Sequence, residues 1–170
     1  YRSSIVVNSK LGIQIPNTKI VRLEDLKREL LNTSLPVFIK PNRDGSSVCS
    51  YILEDLSNLD STIKDFYSHH IKQDEILIQE LIDDNVEISC GCLEKKDHSF
   101  IQLPPIEIIP KNSTYFDYKS KYQKYASVER IPATGIDNRM RDKISKYAVE
   151  IHKLLGCSLY SRSDFLVKDN

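Results

Sequence analysis

Residues 35–48 read Leu35-Pro-Val-Phe-Ile-Lys-Pro-Asn-Arg-Asp-Gly-Ser-Ser-Val48. The apolar run from Pro36 to Lys40 is short and stopped by Pro41, which turns the residue before it away from helix. It reads as a buried strand. The loop from Pro41 to Ser47 sets a glycine and two serines after a strand-end lysine. Backbone N–H groups and hydroxyls supply donors there while Lys40 supplies charge, which is the chemistry of a phosphate cradle. The GxxxxGK[ST] spacing is absent. An ordinary hairpin loop with a snorkelling lysine is the plainer alternative.

Strand and helix signals alternate outward from this stretch. Leucines at 23, 26, 30 and 31 give a short amphipathic helix upstream. Downstream, Val48 to Leu53 reads as a second strand, and Leu59, Ile63, Phe66 and His70 mark one helical face with Ser57 or Asp60 as cap. Glu75 to Glu80 and Glu87 to Leu93 read as strands around the polar turn Asp83-Asp84-Asn85, and Ser99 to Leu103 and Ile106 to Ile109 continue the β-rich middle. Pro110 to Gly135 shows no sustained period and holds Tyr115, Tyr118, Tyr122 and Tyr125, as a functional lid or an irregular segment does. Arg141 to Leu155 is the clearest helix, with Gly156 at its stop. Ser158 to Val167 is a last strand. The class is α+β with antiparallel sheets.

Composition narrows the function without naming it. The chain has 170 residues, 24 basic and 24 acidic side chains, and 40% hydrophobic residues. That is enough for one domain or two small lobes with a core. A formal net charge of zero argues against a nucleic-acid binder. The apolar runs fall far short of the roughly 20 residues that span a bilayer, so no membrane partner is expected. Cys49, Cys90, Cys92 and Cys157 form no CxxC pair, and the histidines are scattered; four reduced thiols in a cytoplasmic protein is the expectation.

Three further clusters carry chemistry beside a plain alternative. Gln79-Glu80-Leu81-Ile82 with Glu87 can present backbone groups to an adenine edge and a carboxylate to ribose, or form an ordinary solvated strand end. Lys121-Tyr122 can close over a phosphorylated group and exclude water, or belong to an aromatic patch. Arg162 and Asp164 project from one strand face at i and i+2. They can steady phosphoryl oxygens and hold Mg²⁺, or form a surface salt bridge of little energy.

In order and spacing these stretches resemble the D-alanine–D-alanine ligases of the ATP-grasp superfamily. Residues 35–48 look like that family's strand and phosphate lid, and Ile76 to Ile82 with Glu87 like its adenine hinge. Glu107 to Lys111, Tyr115 to Tyr122 and Ile131-Pro-Ala133 are similar to its long loop. Leu155-Gly-Cys157 with Ser161-Arg-Ser-Asp-Phe165 resembles its catalytic strand. The resemblance implies an ATP-grasp fold of two lobes with antiparallel sheets, truncated at both ends. A leading segment and helix would occupy 1–30, a smaller lobe 31–92, and an incomplete larger lobe 93–170 with the loop 110–135.

It also implies roles. Lys40 would contact nucleotide, Ser46 and Ser47 would close over phosphates, and Ser46 would help place the substrate alanine. Glu80, Leu81 and Ile82 would line the adenine pocket, and Glu87 would bind ribose. Lys121 would meet the transferring phosphate. Tyr122 would stand where the family selects alanine over lactate. Arg162 would stabilise the phosphoryl group and Asp164 would bind Mg²⁺ or Mn²⁺.

The implied activity is ATP-dependent joining of two D-alanines through an acyl phosphate, in the cytoplasm, for peptidoglycan synthesis, cell wall biogenesis and cell shape. The implied assembly is a homodimer of the full-length protein, with this chain a piece inactive alone. Another ATP-grasp carboxylate–amine ligase and a degenerate, non-catalytic ATP-grasp module are the alternatives. The departures that favour the last are Cys49 in place of a lid glycine, Gln79 in place of a hinge acid, and Ile5 in place of a lysine. The segment 83–86 is also one residue longer than usual. The family's Asn-Glu-x-Asn motif, with its remaining magnesium ligands, would fall beyond Asn170.

Overall fold

Alternating burial along Val37–Pro41 shows a strand with one face on a core. The computed structural model describes residues 1–43, 49–68, 75–110 and 127–168. Strand β1 is Thr18–Arg22, β2 is Val37–Pro41, β3 is Tyr51–Leu53 and β4 is Glu75–Glu80. They form an antiparallel sheet in the order β1-β4-β2-β3. One face carries Val21, Val37, Ile39, Leu53, Ile76 and Ile78 against helices α2 (Leu26–Leu31) and α3 (Leu59–Ser68), through Leu26, Leu30, Leu59 and Phe66. Burying this apolar set removes it from water, the main stabilising term of the unit.

The second sheet is built on the long strand β5, Val86–Glu94. Its partners are β6 (Phe100–Gln102), β7 (Ile106–Pro110) and β9 (Tyr160–Val167), and β8 (Ser127–Arg130) continues it from β7. β9 pairs with β5 over Val86–Leu93, whereas β6 and β7 share the other edge. Ile88 and Cys90 point at helix α4 (Asn138–Leu154), whose Ile144 and Ala148 meet them, with Ala133 and Ile136 beside. The described residues thus form two compact units, one over 16–81 and one over 1–15, 82–110 and 127–168.

Several boundaries differ from expectation. The chain changes unit at Leu81 and Ile82 rather than at 92/93, because β5 pairs as one piece along β9. Ser127–Arg130, expected inside an irregular loop, is a strand paired with β7. Helix α4 starts at Asn138, since the Asp137 carboxylate accepts a hydrogen bond from the Met140 N–H. The helix expected over 23–31 opens as a 3₁₀ turn, Leu23–Asp25, before α2. The described part of the expected strand 48–53 narrows to β3, because Cys49 adopts φ 52 and breaks extended geometry. Helix α1, Arg2–Leu11, and strand β1 carry too few apolar residues at either period to show in the sequence.

Candidate functional site

In the first unit, the sheet face turned away from α2 and α3 carries the nucleotide-type residues. Phe38 and Lys40 alternate with core residues on β2, and the ladder puts Gln79 opposite Phe38 and Leu77 opposite Lys40. The Lys40 ammonium lies 5.3 Å from the centre of the Phe38 ring, a cation–π contact that holds the side chain along the sheet. Gln79 donates from Nε2 to the Thr18 hydroxyl at 2.8 Å, so its amide is oriented by β1. Glu80 serves the strand end. Its backbone N–H donates to Asn17 O at 2.9 Å and its carboxylate accepts from the Asn17 N–H at 3.2 Å. Leu81 and the next unit's Ile82 are half-buried, and Ile82 O accepts from Asn85 Nδ2.

In the second unit, alternation along β5 and β9 sorts the side chains onto two faces. Glu87 stands opposite Leu166, Ser89 opposite Asp164 and Gly91 opposite Arg162, all on the face away from α4. The Arg162 guanidinium grips the Asp164 carboxylate bidentately, Nε to Oδ1 at 3.1 Å and a terminal nitrogen to Oδ2 at 3.2 Å. The Ser89 hydroxyl donates to Asp164 Oδ1 at 2.8 Å. The pair is solvent-facing, so it contributes little stability. What it provides is a positive and a negative group held in fixed order, one for an anion and one for a cation. Mg²⁺ is commonly held by one or two carboxylates plus substrate phosphates. The half-exposed Asp164 fits one such position, and no cluster of three candidate metal ligands occurs among the described residues.

Ser46, Ser47, Lys121 and Tyr122 lie outside the described residues. Lys40 and Glu80 belong to the first unit, and Glu87, Arg162 and Asp164 to the second. Three supporting groups escaped the sequence reading. Ser89 is one; its opposition to Asp164 depends on register. Glu107 is another, only 7% exposed. Its carboxylate accepts from the N–H groups of Thr134 and Gly135 at 2.8 and 2.9 Å, with Arg130 at 3.5 Å. Burial alone would raise its pKa, but those N–H groups and the guanidinium outweigh it and hold the carboxyl below its usual range. A Cβ at Gly135 would lie 2.8 Å from Glu107 Oε1, so a side chain there would displace the carboxylate from its N–H partners. The third is His152, 1% exposed, with Nδ1 2.8 Å from the hydroxyl of Ser161, the neighbour of Arg162.

The two antiparallel-sheet units define the fold class as ATP-grasp. The match to solved ligases is close: a VanG D-Ala:D-Ser ligase from Enterococcus faecalis has TM-score 0.72 and 31% identity over 96% of this chain and 46% of its own. The D-alanine–D-alanine ligase of Bacillus anthracis, solved also in complex with ATP, has TM-score 0.70 and 29% identity over 98% of this chain and 51% of its own.

The chain belongs to the D-alanine–D-alanine ligase family, whose C-terminal region model, "D-ala D-ala ligase C-terminus", matches residues 7–170. The ligase of Leptospira biflexa is 34% identical over 99% of this chain and 48% of its own length. That of Clostridium perfringens is 37% identical over 82% of this chain and 42% of its own. The chain therefore spans about half the length of the curated relatives it matches.

Proposed function

We propose that this chain is the nucleotide-handling half of an ATP-dependent D-alanine–D-alanine ligase that acts in the cytoplasm and serves peptidoglycan synthesis. The observation that carries the reading is the Arg162–Asp164 fork, braced by Ser89 on the open face of β5 and β9. It comes in the family's chain order after the Lys40 strand and the hinge. Lys40 and the hinge residues Glu80, Leu81 and Ile82 serve the nucleotide, Glu87 the ribose, and Ser46, Ser47 and Lys121 the phosphates. Tyr122 and Ser46 serve the choice and placing of the amino acids. Asp164 would hold Mg²⁺, which when bound would supply charge neutralisation of the ATP phosphates.

The chemistry asks for fixed positive charge where negative charge grows. ATP phosphorylates one D-alanine carboxylate, and the amine of a second attacks the acyl phosphate. Phosphoryl and then oxyanion oxygens gain charge, and a preorganised guanidinium stabilises them without reorganising. Losing one such donor costs about 100-fold in rate. The likeness to a D-Ala:D-Ser ligase keeps D-serine as a second acceptor to be tested. A homodimer of the whole ligase belongs to the same proposal.

The test has two arms. Mg-ATP at 100 times its dissociation constant should raise the stability of the 170-residue chain by about 2.7 kcal/mol, and Lys40→Ala should weaken that shift. The chain replaces the matching half of the Leptospira biflexa ligase in the second arm. The chimera should make D-alanyl-D-alanine only with ATP, and Arg162→Ala should cut the rate about 100-fold. Absence of any shift at high millimolar nucleotide, together with an inactive but folded chimera, would favour the degenerate module.

A further inference from the structure

Leu159 is the residue before β9, and its backbone is left-handed, with φ 65. The Tyr160 N–H donates to Ser158 O at 2.8 Å across it. A bond from i to i+2 around a positive φ makes the tight γ-turn that is rare, and strained for a residue with a Cβ. Side-chain packing does not secure it, since Leu159 and Tyr160 are each 72% exposed. Strain of this kind persists only where surrounding groups over-determine the backbone.

Glu94, at the end of β5, supplies the hold. The β5–β9 ladder pairs Leu93 with Tyr160, so its next step sets Glu94 against Leu159. The Glu94 N–H donates to Leu159 O at 2.8 Å, as in a regular antiparallel pair. The return bond goes to the side chain instead: the Leu159 N–H donates to Glu94 Oε2 at 3.3 Å. One residue therefore grips both backbone groups of the turn. Its carboxylate is placed from two sides, by His98 Nδ1 at 2.8 Å and by the buried His152, whose Nε2 lies 3.8 Å away. The His98 ring and the Leu159 N–H hold this carboxyl below its usual range, against the burial that would raise it. It is thus an ionised acceptor, which makes the stronger bond.

The register of β9 follows from this anchor. Arg162 stands opposite Gly91 and Asp164 opposite Ser89. A slip of one residue would turn both to the α4 side of the sheet, because strand side chains alternate. The turn at Leu159 comes just before the pair and sets which residue begins the strand. We propose that Glu94 is a positioning residue for Arg162 and Asp164. It holds the strained turn so that β9 enters the sheet in the register that keeps the pair on the open face. The use of that pair on phosphate and metal rests on the ligase reading above; the hold on the turn does not.

The experiment compares the 170-residue parent with Glu94→Ala, Glu94→Gln, Leu159→Gly and the double variant Glu94→Ala/Leu159→Gly. Amide hydrogen exchange along β9 and cross-strand proton contacts between Gly91 and Arg162 read the register without nucleotide. Glu94→Ala should speed exchange at the start of β9 about tenfold, the strength of a charge-assisted bond, and weaken the Gly91–Arg162 contact. Glu94→Gln keeps an oxygen acceptor for the Leu159 N–H and should lose less. A glycine at 159 adopts the same φ without a Cβ penalty. Leu159→Gly should therefore restore protection and contact in the Glu94→Ala background, a rescue that a Glu94 serving only packing would not show. In the chimera described above, Glu94→Ala should lower kcat about tenfold by misplacing Arg162. The KM for ATP should move less, since Lys40 and Glu80 lie in the first unit. Circular dichroism checks folding, and should Glu94→Ala fail to fold, the double variant should fold. Exchange unchanged by Glu94→Ala, a double variant no better than Glu94→Ala, or an active chimera whose kcat ignores Glu94 would each overturn the proposal. A parent chimera without activity would overturn the ligase reading alone, and the exchange arm would still decide the hold on the turn.

Discussion

The two faces of the second sheet are made from the same strands and differ at every alternate residue. On one face Ile88, Cys90 and Phe165 lie against Ala133, Ile136, Ile144 and Ala148. On the other stand Glu87, Ser89, Arg162 and Asp164, with Arg162 and Asp164 exposed, Glu87 half-buried and Ser89 buried beside them. The first face has apolar surface removed from water and is insensitive to charge. The second has polar groups aligned by the first and contributes almost nothing to folding. A rigid packed face is what lets the open one hold a guanidinium and a carboxylate in fixed order. Substitutions should therefore separate cleanly by face.

The largest effect belongs to the packed side. Ile88 is fully buried, and Ile88→Ala should cost about 2–5 kcal/mol, the lost transfer energy plus a cavity. Urea denaturation with an unchanged slope checks this. A loss below about 1 kcal/mol would mean that α4 collapses onto the gap and that the face is less rigid than drawn.

Next comes His152, which lies between the faces in effect. Its ring meets Phe100 edge-on at 5.5 Å and its Nδ1 holds Ser161, while Nε2 has no hydrogen-bond partner among the described residues and stands 3.8 Å from Glu94. His152→Ala should cost about 2–3 kcal/mol, by packing and by the stranded hydroxyl. His152→Phe keeps the ring contact and removes the orphaned nitrogen, so it should cost clearly less. Equal losses for the two variants would show that the Ser161 bond, and not packing, dominates.

Much of this division was legible in advance. Residues 36–40 declared themselves as a short apolar run stopped by Pro41, and the helix after Arg141 by its period. The i,i+2 spacing placed Arg162 and Asp164 on one face. Ser89 was not legible, because its partner is set by the β5–β9 register. Nor was Glu107, whose role depends on where Thr134 and Gly135 return. α1 hid because Ile5, Val6 and Val7 are consecutive rather than spaced at a helical period, and only Val7 is buried. Cys49 shows the reverse case. It stands where the family's lid carries glycine, and the physical content of that difference is the left-handed φ of 52, which a glycine adopts without a Cβ penalty.

Glu107 sharpens the comparison by pH, since it is a charge on the packed side. Its carboxyl is held below the usual range in the folded chain. Its contribution is therefore complete above the unfolded carboxylate value of about 4.3 and is lost as pH falls through the lower folded value. Glu107→Gln should be about 1–3 kcal/mol less stable than the parent at neutral pH. The gap should narrow as the solution is acidified, because the parent alone loses a charged acceptor. A gap independent of pH would assign the role to shape and hydrogen-bond count instead of charge.

The smallest stability effect, and the sharpest functional one, is expected on the open face. Asp164→Asn keeps the size of the side chain and one acceptor for Ser89, while removing the charge that answers Arg162. For an exposed pair the stability change should stay within about 0.5–1 kcal/mol. Nucleotide binding should respond differently to metal. The parent should bind ATP more tightly with Mg²⁺ than without, and the variant should lose most of that difference while keeping metal-free affinity. Calorimetric titration of both proteins with and without the ion separates the two outcomes. A variant that retains the full metal dependence would remove Asp164 from the cation site and leave it as a brace for Arg162. A variant that unfolds would break the comparison itself, because the open face would then be part of what holds the sheet together.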